Sequence, residues 1–245
     1  MKPSIRAGLL TMSLLGVPCA GFAAEFSDTQ RQEIIGILRD ALKQDPSILR
    51  DAITALQADE STREQAATKA AISNAREMLI SPGDPVGGNP RGDVTIVEFF
   101  DVRCGYCKRM EPVMAQFLAQ DRNVRIIYKD LPILGPTSVL ASKALLAAQK
   151  QNAYEKLREA LMKVSGEIST SSIQAEAQKL GLDWARLSKD MEDPAIKQRI
   201  DANLALAQML GIQGTPAMVV GAELIPGAVG LTELKRVVAE ARKAG

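Results

Sequence analysis

The sequence predicts an α/β protein. A β-α-β half and a β-β-α half build one sheet, a helical segment is inserted between them, and a helical extension precedes both. Three observations carry this prediction. First, Val94-Thr95-Ile96-Val97-Glu98-Phe99-Phe100 is an apolar, partly β-branched run. It leads into a helix-forming stretch at 107–120 and then a second apolar run at 124–129, and two strands joined through a helix lie parallel. Second, the helical period is unbroken from 138 to 209. Third, strand signals return at 217–220 and at Glu223-Leu224-Ile225, across a Gly221-Ala222 turn, and a closing helical pattern covers 231–244.

A Cys-x-x-Cys pair, Cys104-Gly105-Tyr106-Cys107, sits at the first strand-to-helix junction. A dithiol in that place is the arrangement of thioredoxin-like redox proteins, so the order describes a thioredoxin fold with an inserted helical domain. Three segments follow: a secretory signal at 1–23, a helical extension at 24–82, and a catalytic domain at 83–245 with its insertion at about 137–210. The signal rests on Lys2 and Arg6, a short apolar stretch at 7–17, and small residues Gly21 and Ala23 placed for cleavage after Ala23, with Ala24 as the alternative. A lipoprotein reading would use Cys19, and Pro18 speaks against it.

In the extension, Ser27 or Asp28 caps a first helix with Ile34, Ile35, Leu38, Ala41 and Leu42 on one face. Asp45-Pro46 restarts the helix, with Asp45 as cap and Pro46 in the first helical position, and Ile48, Leu49, Ala52, Ile53 and Leu56 continue the stripe. An alanine-rich third helix is expected at 61–79, followed by a Gly/Pro-dense linker at 81–90. Short helices are marginal without a partner surface. The stripes therefore predict self-association as a dimer or trimer, against the alternative of a hairpin folded onto its own catalytic domain.

Composition narrows the chemistry. The chain has 245 residues, 46 % hydrophobic, with a net charge of +1 and 4 % aromatic residues. No global field or stacking platform argues for nucleic acid. There is no histidine, which removes His-based acid–base catalysis, Cys–His dyads and imidazole metal ligands. Loss of Cys19 with the signal leaves Cys104 and Cys107 in a compartment where disulfides are exchanged.

A thiolate at a helix N-terminus meets unpaired N–H groups and the positive end of the helix dipole, so its pKa falls. Cys104 is the expected nucleophile and Cys107 the resolving thiol. Structural zinc takes four Cys or His ligands and the chain offers no third. Copper(I) held by two thiolates stays open as an alternative. Gly214-Thr215-Pro216-Ala217 precedes the returning strand, which predicts a cis Pro216 facing the dithiol and Thr215 presenting backbone groups to a bound peptide, against an ordinary turn. Glu98, inside an apolar strand, is expected to have a raised pKa and to exchange a proton with the resolving thiol, with Lys129 as its partner. The bland alternative places both at strand ends on the surface. Gly105 and Tyr106 are expected to touch substrate. Arg91-Gly92-Asp93 spells an adhesion tripeptide but reads as a loop into the strand.

The chain resembles DsbA-family thioredoxin-like proteins of the bacterial periplasm, in particular the ScsC-type group linked to suppression of copper sensitivity. The residues that carry the likeness are Pro85-Val86-Gly87-Gly88-Asn89-Pro90, Val97-Glu98-Phe99-Phe100-Asp101, Cys104-Gly105-Tyr106-Cys107-Lys108, Tyr128-Lys129-Asp130-Leu131-Pro132-Ile133-Leu134 and Gly214-Thr215-Pro216-Ala217. Val102-Arg103 departs from the group, which commonly has an aromatic at the first position. The resemblance implies Cys104 as nucleophile, Cys107 as resolving thiol, Thr215-Pro216 as the cis-proline loop and Glu98 as the buried acid. The Gly-Tyr dipeptide is that of the isomerase DsbC, whereas the oxidase DsbA carries Pro-His. The expected function is therefore a periplasmic disulfide isomerase or reductase with no cofactor, acting on misoxidised clients and kept reduced by a membrane donor of the ScsB or DsbD kind. A DsbA-like oxidase, a copper(I) chaperone and a cargo-binding module with weak catalysis are the alternatives.

Overall fold

The computed structural model describes residues 26–244. The expected signal, with its Ala23 cleavage point and Cys19, lies outside the described residues. The chain divides into two compact units, one ending at Ala58 and one beginning at Asp59.

The first unit is helical. Helix α1 (Asp28–Gln44) opens on a reciprocal cap, in which the Ser27 side chain accepts from the Gln30 N–H and the Gln30 side chain accepts from the Ser27 N–H. Asp45 accepts from the Ser47 N–H at 3.0 Å and starts α2 (Ser47–Asn74). Helix α1 buries none of its residues within the described chain, and Ile37 is 69 % exposed. The expected separate third helix at 61–79 is not formed as such. Asp59-Glu60-Ser61-Thr62 holds neither Gly nor Pro, so α2 runs through to Asn74, and only α3 (Arg76–Leu79) follows.

The second unit is a five-stranded sheet, in the order β1-β3-β2-β4-β5, wrapped by helices. Its strands are β1 (Val86–Gly88), β2 (Val94–Phe100), β3 (Val124–Asp130), β4 (Ala217–Val220) and β5 (Glu223–Pro226). Strands β2 and β3 are parallel across α4 (Gly105–Gln120), and the other pairs are antiparallel. The insertion is α5 (Pro136–Gln149), α6 (Tyr154–Lys163), α7 (Thr170–Lys179), α8 (Trp184–Asp190) and α9 (Pro194–Met209), and α10 (Leu231–Ala244) closes the chain. The fold is α/β and thioredoxin-like.

Alternation along the strands gives the sheet two buried faces. Ile96, Phe100, Ile126 and Tyr128 face a core shared with α4, α5, α6 and α10. Val97, Phe99, Ile127 and Val219 face a smaller core made with Ile72, Ala75 and Leu79 and with Leu206, Ala207 and Leu210. Residues 72–79 thus pack on the sheet, and the expected boundary at 82/83 lies inside the second unit, because the linker joins segments of one core.

Strand β1 lies within the stretch read as linker. Val86 pairs with Ile127 and Gly87 with Ile126. A Cβ at Gly87 would come within 2.6 Å of both the Tyr128 hydroxyl and Glu155 Oε1, so a side chain here would push both aside.

Candidate active site

Cys104 is the N-cap of α4, with φ −70° and ψ 118°. The approach to it is fixed by Asp101, which is buried. One carboxylate oxygen of Asp101 accepts from the Arg103 N–H at 2.9 Å, the other from the Leu134 N–H at 3.1 Å, and its carbonyl accepts from the Cys104 N–H at 2.9 Å. One acid therefore pins the loop after β2 to the loop after β3.

The two cysteines are free thiols in different environments. Cys104 keeps 7 % of its surface and Cys107 keeps none. Burial alone would push Cys104 up. Hydrogen bonds from the Thr215 side chain, from the Cys107 backbone and thiol, and from the Tyr106 N–H outweigh it and hold Cys104 below the ordinary thiol value. In the protonated state, Cys104 Sγ also donates to the Thr215 carbonyl at 3.1 Å. Burial pushes Cys107 well above the thiol range, and the neighbouring Cys104 adds to the effect. The pair is thus a slightly exposed, ionisable thiol beside a fully buried, protonated one.

The Thr215–Pro216 peptide is cis, and the contact to Cys104 brings it across 111 residues to the dithiol. Beside it lies a groove of about 430 Å³ lined by Tyr106, Ile212, Thr215, Pro216, Leu224 and Ala228. Tyr106 is 60 % exposed, with the Arg109 guanidinium 4.1 Å from its ring centroid. Gly105 is exposed, and a Cβ there would meet nothing closer than Arg109 at 3.6 Å. Three cations flank the dithiol in sequence, and each has a contact other than the thiols. Arg103 bonds the Leu134 carbonyl, Lys108 bonds the Val164 carbonyl at 2.7 Å, and Arg109 covers Tyr106.

Glu98 is 1 % exposed, and burial raises its pKa against the pull of Arg158. Its expected partner, Lys129, is on the other face of the sheet. In the β2–β3 register Glu98 stands opposite Tyr128, and Lys129 opposite Phe99, so alternation turns the two side chains apart. Lys129 instead donates to Asp84 Oδ2 and to the Met78 carbonyl, both at 2.7 Å. It ties the linker and the end of α3 to the sheet, and the Glu98–Lys129 pairing is corrected accordingly.

The partner of Glu98 is Arg158 of α6, whose Nη2 lies 3.2 Å from Glu98 Oε2. Arg158 also bonds Glu111 of α4 at 3.0 and 2.6 Å, and stacks 4.7 Å from the Phe100 ring centroid and 4.4 Å from that of Tyr128. On the same sheet face, burial pushes Asp130 up to about 7, and the Tyr154 hydroxyl donates to it at 2.7 Å. Sequence alone assigns no site role to Asp101, Asp130 or Arg158. The available signal for Arg158 was a cation at the fourth place after Tyr154, on the face that also carries Leu157 and Leu161. Among the described residues no group of three or more His, Cys, Asp or Glu is gathered to hold a metal. No helix there is long and apolar enough to cross a membrane.

A family model described as a DSBA-like thioredoxin domain matches residues 95–239. One described as the copper resistance protein ScsC N-terminal domain matches residues 30–62. A solved thioredoxin-like oxidoreductase from Silicibacter pomeroyi is 43 % identical, with a TM-score of 0.67 over 69 % of this chain and 98 % of that one. Proteus mirabilis ScsC in a transitional conformation is 31 % identical, with a TM-score of 0.66 over 91 % of this chain and 99 % of that one. A periplasmic thioredoxin-like protein from Salmonella enterica serovar Typhimurium is 34 % identical, with a TM-score of 0.63 over 69 % and 95 %. Among curated proteins, 169 residues are 28 % identical to part of the Na(+)/H(+) antiporter NhaA 1 of Salinispora arenicola, covering 66 % of this chain and 26 % of that protein. The chain spans about a quarter of the length of the curated relatives it matches.

Proposed function

The chain belongs to the DsbA-like thioredoxin family and is a ScsC-like thiol–disulfide oxidoreductase, and from that premise we propose that it works as a disulfide isomerase and reductase on misoxidised proteins of the periplasm. The observation that carries the reading is the way the Cys104 thiolate is held. Its ionised form is favoured by hydrogen bonds, while Arg103 and Lys108 bond the Leu134 and Val164 carbonyls and Arg109 lies over the Tyr106 ring. A thiolate held by hydrogen bonds without an ion pair is stabilised less than one that has both, and the dithiol is then a weaker oxidant, since stabilising the thiolate stabilises the reduced state.

In the proposed cycle the Cys104 thiolate attacks one sulfur of a client disulfide. A Cys104–client disulfide forms and the other client sulfur leaves as thiolate. In isomerisation that thiolate attacks another client disulfide, and a different client thiolate finally displaces Cys104, with no net electron transfer. In reduction Cys107 loses its proton and attacks Cys104 Sγ. The client leaves with both thiols, and the Cys104–Cys107 disulfide takes two electrons and two protons from a membrane reductase of the ScsB or DsbD type. Tyr106, Thr215 and Pro216 line the groove beside Cys104 and would receive the client segment. Gly105 leaves the approach to Cys104 open. Glu98 serves as the buried acid on the dithiol side of the sheet.

The N-terminal helices are proposed to assemble the protein as a dimer or trimer. Ile37, Leu38 and Leu56 are each more than half exposed on helices with almost no core of their own. Several dithiols would then surround one client. A trapping experiment tests the direction of flow. Reduced Cys107→Ser should form a covalent complex with a scrambled, fully oxidised client. Complexes that form only when a glutathione-capped Cys104 meets a reduced client would overturn the reading in favour of an oxidase.

A further inference from the structure

Helix α6, in the inserted domain, reaches into the catalytic half through one buried cation. Arg158 is 3 % exposed and meets β2 at Glu98 and α4 at Glu111. Glu111 lies four residues after Cys107, one turn along the same helix face. Cys107, Phe100 and Tyr128 belong to one packed core, and the guanidinium lies against the last two.

We propose that Arg158 is a positioning residue for the dithiol exchange: its single charge is divided between Glu98 and Glu111, and the share that reaches Glu98, on the sheet face that packs Cys107, decides the pH at which the resolving step runs. This rests on Cys104 and Cys107 being the exchanging pair.

Geometry gives Glu111 the larger share. It receives two guanidinium bonds, at 3.0 and 2.6 Å, whereas Glu98 receives one at 3.2 Å. Glu111 also keeps some contact with water, its side chain being 26 % exposed against 1 % for Glu98. A buried cation shared by two carboxylates leaves one of them poorly compensated, and in a low-dielectric site that one holds its proton. Burial and the Glu111 charge both act on Glu98 in that direction, and Arg158 opposes them. Other groups complete the surroundings. Tyr128 and Asp130 come from β3, and Tyr154 from α6 is bonded to Asp130. Glu155, also from α6, has its carboxylate 3.4 Å from the Tyr128 hydroxyl. Asp130 feels the same guanidinium. On α4 Lys108 and Arg109 lie between Cys107 and Glu111 in sequence, with Lys108 bonded to the Val164 carbonyl and Arg109 over Tyr106.

In the resolving step the Cys107 thiol gives up its proton, its sulfur bonds to Cys104 Sγ, and the partner sulfur leaves as thiolate. A Glu98 carboxylate accepts that proton, so the step accelerates as Glu98 ionises. Removing Arg158 should hold Glu98 neutral to higher pH. Removing the Glu111 charge should free Arg158 for Glu98 and do the reverse.

The test is single-turnover release of glutathione from a Cys104–glutathione disulfide, followed by acid quench from pH 5 to 9. Glutathione replaces the client, so the readout survives even if the isomerase role fails. Arg158→Met should move the midpoint up by about one pH unit or more, roughly a fivefold slowing at the wild-type midpoint and about tenfold well below it. Arg158→Lys should recover part of the shift, and Glu111→Gln should move the midpoint down. Glu98→Gln should abolish the inflection. Opposite shifts from Arg158→Met and Glu111→Gln support the assignment. Midpoints of both variants unchanged within experimental error, or moved in the same direction, overturn it. If Arg158→Met does not fold, Glu111→Gln and Arg158→Lys still carry the signed comparison.

Discussion

Lys129→Met separates structural from catalytic service at a residue that the sequence placed beside the acid. The ammonium is buried to 2 % exposure, and its two bonds go to Asp84 and to the Met78 carbonyl, both at 2.7 Å. Methionine fills the space but leaves Asp84, itself buried, with the Ser81 N–H at 2.8 Å and Arg199 at 3.4 Å. Breaking a buried pair by deleting one partner costs up to about 3–5 kcal/mol, because the remaining charge loses its closest partner. For a chain of this size each kcal/mol moves Tm by roughly 2–4 °C, so the expected fall is up to roughly 6–20 °C. Adding Asp84→Asn removes the orphaned charge and should return part of the loss. Glutathione exchange by the folded variant should stay within about twofold of wild type, since Lys129 and Glu98 face opposite sides of the sheet. Thermal melts and exchange rates on one preparation decide the matter. A variant that melts like wild type yet exchanges tenfold more slowly would refute the argument and restore Lys129 to the reaction.

Three further outcomes follow from the same geometry. Thr215→Val keeps the backbone carbonyl and removes the hydroxyl, so the Cys104 pKa should rise, read from the pH dependence of alkylation. Because Cys104 is depressed in the folded state, it stabilises the reduced protein at high pH, and that contribution is lost as pH falls through the folded value; Thr215→Val should shrink this loss. Asp130 is raised by burial from 3.8 to about 7. Its contribution is therefore complete below about pH 4 and is lost as pH rises to about 7, at a limit of about 1.4 kcal/mol per pH unit; chemical denaturation across that window should flatten in Asp130→Asn. Leu38→Glu in α1, at an exposed apolar position, should shift the sedimenting species to the monomer while leaving Cys104 alkylation unchanged; an unchanged sedimentation profile would count against assembly through this face.

Much of the fold was legible because its strands are long and apolar. Val94–Phe100 and Val124–Asp130 alternate between two cores, and the Cys-x-x-Cys pair marks the junction that joins them. Strand β1 was hidden because its pairing depends on Gly87 fitting under Tyr128, a tertiary fact that a Gly/Pro-rich run does not announce. The continuity of α2 was misjudged because apolar periodicity changes near residue 60 while backbone propensity does not. The dithiol and Pro216 carry local signatures. The surroundings of the buried acid do not: neighbouring parallel strands put Glu98 opposite Tyr128 rather than Lys129, and the true cation arrives from a helix sixty residues away in sequence. A one-residue offset in register moves a side chain to the other face, which is why pairing acids and bases by eye along adjacent strands fails here.

The most direct test of the central claim is refolding of a scrambled, fully oxidised client by catalytic amounts of the reduced protein, alongside oxidation of a reduced peptide by its disulfide form. The account predicts recovery of client activity that disappears in Cys104→Ser, with slow peptide oxidation. No recovery, combined with rapid oxidation of the peptide, would contradict it and identify the protein as a disulfide donor.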